Sequence, residues 1–173
     1  MDTPEGDMFE LKPISKEAVP YAIERAARYR LLNEPIEAES ICLDVLEVEP
    51  TNQRALVTLL LALTDQFDQR LNENLQKARE VLARLEDDYS KHYYQGIIHE
   101  RRGTSSLERG SPGCGYVAYD WLRQAMECYE KAAEFRPAGN DEAILRWNTC
   151  VRIINRDPSV RPEPEDAEPQ MLE

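Results

Sequence analysis

Four cysteines and two histidines are the side chains here whose chemistry reaches beyond charge and hydrogen bonding. Cys114 stands between glycines in ERGSPGCG (108–115), a stretch too rich in Gly and Pro to stay helical. A thiol there, at the start of a following helix, would sit in the positive field of the helix dipole, which favours the thiolate. Nucleophilic use also needs a general base, and spacing places neither His92 nor His99 beside it. A thiol-based enzyme or redox sensor with Cys114 as its reactive group is therefore the alternative in the enzyme class. Cys42, Cys128 and Cys150 form no C-x-x-C pair and fall in helical segments, where they read as reduced thiols acting as small hydrophobes. His99-Glu100-Arg101-Arg102-Gly103 opens like a zinc-protease helix but lacks the second histidine four residues on. His92 and His99 are two helical turns apart, with no acid or thiol at fixed spacing. Gly110, Gly113 and Gly115 have no Lys-Ser/Thr after them and no strand before, so they are no phosphate loop. The expectation is no catalytic residue, no metal and no cofactor.

Charge narrows the partners. The 173 residues carry a net charge of -12. The excess sits at the ends: residues 1–50 hold 12 acids against 5 bases, residues 51–157 hold 16 against 15, and residues 158–173 hold 5 against 1. An acidic chain of this kind argues against nucleic acid and against anionic membrane, both of which recruit Lys and Arg. Against that background Arg101, Arg102 and Arg109 form a local basic patch. It reads as a solvated face paired with Glu100 and Glu108, as a contact for an acidic partner surface, or as a contact for the chain's own acidic tail. The start MDTPEGDMFELKPIS has no basic-then-apolar signal pattern, and the longest apolar run, Leu56–Leu63, is far short of the ~20 residues that span a bilayer. A cytoplasmic location is expected.

The elements that must position these residues are all helical. Helix one runs from about Ser15 or Val19 to Leu32, with Pro20 in its first turn. Asn33 suits a left-handed cap, and Pro35 the first position of helix two, whose Ala38, Ile41, Cys42, Val45 and Leu46 form one stripe up to Val48. Thr51 or Asn52 caps helix three, apolar all round and thus expected at the centre, ending near Gln66. Asp68 is expected to cap helix four, with its stripe Leu71, Leu75, Ala78, Leu82 and Leu85. Helix five spans about Ser90–Leu107 and carries Tyr93, Tyr94, Gly96 and Ile97; helix six spans Tyr116–Phe135; helix seven starts after Asn140 and ends near Asn155. Trp121 and Trp147, in the last two, are expected to pack. Residues 1–14 read as an arm whose Met8, Phe9, Leu11 and Ile14 dock. Residues 158–173, acidic and proline-rich with almost nothing to bury, read as a disordered tail.

Small and aromatic residues recur at fixed steps. Ala26, Tyr29, Ala38 and Pro50 have the spacing of a tetratricopeptide repeat, in which small residues sit where two helices cross and a proline follows the second. Ala125, Tyr129, Ala132 and Pro137 keep the same 12-residue step from small residue to proline. The chain resembles a tetratricopeptide repeat protein over about residues 18–155, within a helical domain set at 15–157. The second pair and the expanded tip of the third depart from the pattern. The resemblance implies an all-α, right-handed superhelix of about three antiparallel helix pairs plus a C-terminal capping helix.

The resemblance also implies a concave groove lined by first helices, at Ile23, Ala27 and Arg30, at Val57, Leu61 and Thr64, and at Tyr93, Ile97 and Glu100. The Lys, Asn and Arg set that grips a peptide carboxylate in one subgroup is missing. The function expected is therefore a protein–protein adaptor or accessory subunit that binds a partner peptide or helix. Its partner-binding residues would be Arg30, Val57, Leu61, Tyr93, Tyr94, Ile97 and Glu100, with Arg101 and Arg102 at the third tip. A structural subunit of a larger assembly is a further alternative, and the groove could instead hold the chain's own arm or tail.

Overall fold

The computed structural model describes residues 9–165, and within them every regular element is helical. A short 3-10 turn at Lys16–Ala18 leads into α1 (Val19–Leu31), α2 (Pro35–Val48), α3 (Gln53–Thr64), α4 (Phe67–Leu82), α5 (Asp88–Arg109), α6 (Cys114–Glu134) and α7 (Glu142–Arg156). The terminators are local. Asn33 takes a left-handed φ of 60° between α1 and α2, a conformation that Asn tolerates. The Asn52 side chain accepts the amide of Ala55 at 3.0 Å to cap α3. Asp87, rather than the Ser90 start expected, caps α5 through the Ser90 amide at 2.9 Å. Helix four departs most from expectation: it begins at Phe67 and breaks at Arg70 (φ −139°, ψ 47°), so Asp68 lies inside the first turn and is no cap.

Successive helices pack on one another from α1 through α7, and α1 also meets α3 and α3 meets α5. That places α1, α3 and α5 side by side as one layer. α3 is the pivot. Leu56, Leu59, Leu60 and Leu63 are all buried in a core shared by α1 through α4, which Ile98 of α5 also enters. A second core joins α5, α6 and α7 around Leu122, Met126 and Tyr129, and α3 reaches it through Leu61. At ~1.5–3 kcal/mol per fully buried aliphatic side chain, α3 alone holds much of the burial that stabilises the array.

The α5·α6 pair is the longest, at 22 and 21 residues, and only 110–113 remain as its loop. Its crossing is set by Gly96, where a Cβ would lie 2.5 Å from Tyr129 Cε1. After α7 the chain does not simply depart. Val160 is 3% exposed within the second core, and a Cβ at Gly115 would overlap the Ser159 carbonyl, so 157–160 lies as a strap across the start of α6. The first residues of the stretch expected to be a disordered tail are thus packed, Val160 among them. Phe9 and Leu11 are 98% and 88% exposed and do not dock, whereas Ile14 packs against the first core. Met8 and the residues from 166 onward, Met171 and Leu172 included, lie outside the described residues.

Candidate interaction face

The α1, α3 and α5 layer is pinned by one carboxylate. Asp65, just after α3, accepts Arg30 Nε at 2.7 Å on Oδ2 and Arg30 Nη2 at 3.2 Å on Oδ1, and the same Oδ1 accepts Arg101 Nη1 at 3.0 Å. Arg30 belongs to α1 and Arg101 to α5, so the three helices are tied at a single point. Val57, Leu61 and Asp65 follow at four-residue steps on α3 and therefore share the face that looks between α1 and α5. Val57 and Leu61 are half-buried there, Ala27 of α1 is exposed, and Tyr94 of α5 is half-buried against both cores. Burial first, then the neighbouring Tyr93, pushes the Tyr94 phenol up to about 12, so this ring is a neutral hydrogen-bonding group at ordinary pH.

Five residues expected on this face lie inside, Ile23 of α1 (4% exposed, in the first core), Thr64 and three from α5. Ile97 is 1% exposed, Glu100 5% and Tyr93 8%. The reason is α7, which packs on α6 and closes the second core over the middle of α5. Glu100 accepts the Tyr129 hydroxyl on Oε2 and Arg146 Nη1 on Oε1 at 3.2 Å. A buried carboxylate needs such partners, since a lone one would cost far more than the pair returns. Burial works against charge on Arg146, but Glu100, Tyr129 and Tyr93 outweigh it and raise its pKa. Burial and then Glu100 push the Tyr129 phenol far up, which keeps it a donor. Thr64 is likewise interior, its hydroxyl spent on the Leu61 carbonyl at 2.9 Å. Asp65 and Arg146 were missed by sequence reasoning, and Tyr129 was singled out only as the aromatic of a repeat: the polar role of each depends on a partner from another helix.

The basic patch separates into two environments. Arg101 turns to Asp65 on the layer just described. Arg102 lies over the Trp121 ring of α6, its Cζ 4.2 Å from the centroid. Arg109 donates to the Phe67 carbonyl at 3.0 Å. Neither Glu100 nor Glu108 pairs with any of the three within 4.0 Å; Glu108 instead sits against Asp68, and burial with that hydrogen bond raises its pKa.

Cys114 opens α6 and is half-buried. Its cleft is lined by Gly113, Gly115, Tyr116, Ser159 and Arg161. The two histidines are elsewhere: His92 stacks on Phe135, 5.6 Å between ring centroids, and His99 meets Trp121 at a tilt of 40°, 5.2 Å between centroids. The structure thus brings no histidine to the thiol. Among the described residues no three His, Cys, Asp or Glu side chains are grouped to hold a metal, and no helix is long and apolar enough to cross a membrane. Comparison with known family models, curated proteins and solved structures finds no match.

Proposed function

We propose that this chain is a protein-interaction module, an adaptor or accessory subunit, that receives a peptide or helix on the face formed by α1, α3 and α5. In this reading the helix pairs build a right-handed superhelix of the tetratricopeptide kind, with α7 as its cap and that face as the concave one. The observation that carries it is the Arg30–Asp65–Arg101 tie. A carboxylate shared by α1 and α5 holds three helices in register and leaves a preformed strip of Ala27, Val57, Leu61 and Tyr94 beside two guanidinium groups. Preformed apolar strips flanked by fixed charges suit an amphipathic segment, because little ordering is left to do on binding. The site is Arg30, Val57, Leu61, Tyr94 and Arg101, with Tyr93, Ile97 and Glu100 supporting it from beneath.

The test is capture of partners by the native chain and by Val57→Lys/Leu61→Lys, both verified to have the same helical circular dichroism. Loss of a partner from the double variant supports the reading. Equal retention by a folded double variant moves the interface off this face.

A further inference from the structure

The second environment of the basic patch is a cleft of about 210 Å³ on α4, α5 and α6, lined by Leu71, Arg102, Ser106, Arg109, Ser111, Val117 and Trp121. Among the described residues its arginines form no ion pair: Arg102 and Arg109 have no carboxylate within 4.0 Å, and the same holds for Arg70 and Arg79 of α4. Burial and the nearby Arg79 lower the Arg102 pKa. Burial first, then Arg79 and Arg102, lowers that of His99, with Glu127 the one carboxylate that opposes them. Cations crowded together in this way, in a chain of net charge -12, leave an attraction for anions unused.

The geometry is that of a receptor. The Arg102 guanidinium lies over the Trp121 ring, its Cζ 4.2 Å from the centroid, and no side chain or carbonyl among the described residues accepts a hydrogen bond from it. Arg109 is held by one hydrogen bond to Phe67 and keeps its other donors. The same cleft has an apolar lining, Leu71 from α4 and Val117 with Trp121 from α6. An inorganic anion would use the donors and leave those walls empty. A protein segment with Asp or Glu beside a Leu, Ile or Phe would use both.

We propose that this cleft is a second docking site, specific for an acidic–apolar segment of a partner protein. Carboxylates of that segment would lie on Arg102 and Arg109, and an aliphatic or aromatic side chain between Leu71, Val117 and Trp121. It is distinct from the α1, α3 and α5 face, and does not depend on that reading.

The experiment is selection of a random displayed 12-residue peptide library on the full chain, repeated on Arg102→Gln/Arg109→Gln and on Val57→Lys/Leu61→Lys. The expected result is enrichment of peptides with Asp or Glu within four residues of Leu, Ile or Phe, retained by the Val57/Leu61 variant and lost by the arginine variant. One enriched peptide, made synthetically, should bind the single Arg102→Gln chain at least about tenfold more weakly, as removal of a charge-assisted pair requires. Its binding should quench or shift Trp121 fluorescence in a Trp147→Phe chain. Arg102→Lys, which keeps the charge but not the flat stacked fork, should be intermediate. Stronger binding by a chain ended at Arg161 would mean that the chain's own acidic end is the occupant, which would overturn the proposal of a partner. No acidic enrichment, or enrichment indifferent to Arg102 and Arg109 in folded variants, would overturn the site itself.

Discussion

At the scale of single residues, the most constrained position is Gly96. An added methyl would meet the Tyr129 ring at 2.5 Å, and that ring cannot retreat because it is 1% exposed and bonded to buried Glu100. Gly96→Ala gains up to ~1 kcal/mol of helix propensity yet should lose about 1–3 kcal/mol to overpacking. The net expected is a lower thermal midpoint, and an unchanged or raised midpoint would show that α5 and α6 are less closely apposed. The cysteines make a second prediction. Cys42 and Cys150 are wholly buried, and burial is the main cause that pushes both thiols up to about 12. A disulfide reagent at pH 8 should therefore leave these two untouched in the folded chain and modify Cys114 and Cys128, both half-buried. The rate at Cys114, isolated by Cys114→Ser, also weighs the enzymatic alternative: a rate no faster than a free thiol removes the case for a catalytic cysteine.

At the scale of elements, α1, α3 and α5 are tied together by a charge that no periodicity announces. Asp65 serves two arginines from two other helices, with its side chain 17% exposed. Asp65→Asn keeps the volume but leaves both guanidinium groups without their anion, and should cost about 1–3 kcal/mol. Lys77→Ala, which breaks a surface pair with Glu73, should cost less than about 1 kcal/mol. Chemical denaturation of both variants checks the contrast; equal costs would mean that Asp65 is merely another surface acid. The elements themselves were legible because each carries its own punctuation. Ala26, Ala38 and Pro50 gave the first pair, and Asn52 the cap of α3, because those residues act on their own backbone. The start of α4 was not legible, since Asp68 has the chemistry of a cap but the turn that Phe67 buries begins earlier. Which face of α5 would be covered was also hidden. Tyr93, Ile97 and Glu100 have groove spacing, yet whether they meet solvent is decided by α6 and α7, far along the chain. Val160 was overlooked for a related reason: one apolar residue in an acidic, proline-rich stretch gives no pattern, although it fills a site in the second core.

At the scale of the whole molecule, the chain joins two cores through α3 and α5 and offers two surfaces of different character. One is a strip in which apolar side chains lie beside two arginines that share the carboxylate of Asp65; the other is a cleft whose arginines have no such partner. That division explains why a basic patch in the sequence could not be read as a unit. Arg101 and Arg102 are adjacent in the chain but lie about 100° apart around a helix, so they serve different surfaces. The adaptor reading rests on the first surface. Its most direct test is site-specific crosslinking in source lysate, with a photoreactive residue placed at the exposed Ala27 of α1 and, as the control, at the exposed Glu80 of α4. The account predicts a discrete protein adduct from position 27 that Val57→Lys/Leu61→Lys abolishes and that position 80 does not give. Adducts from position 80 alone, or an adduct at 27 indifferent to the double variant, would contradict it.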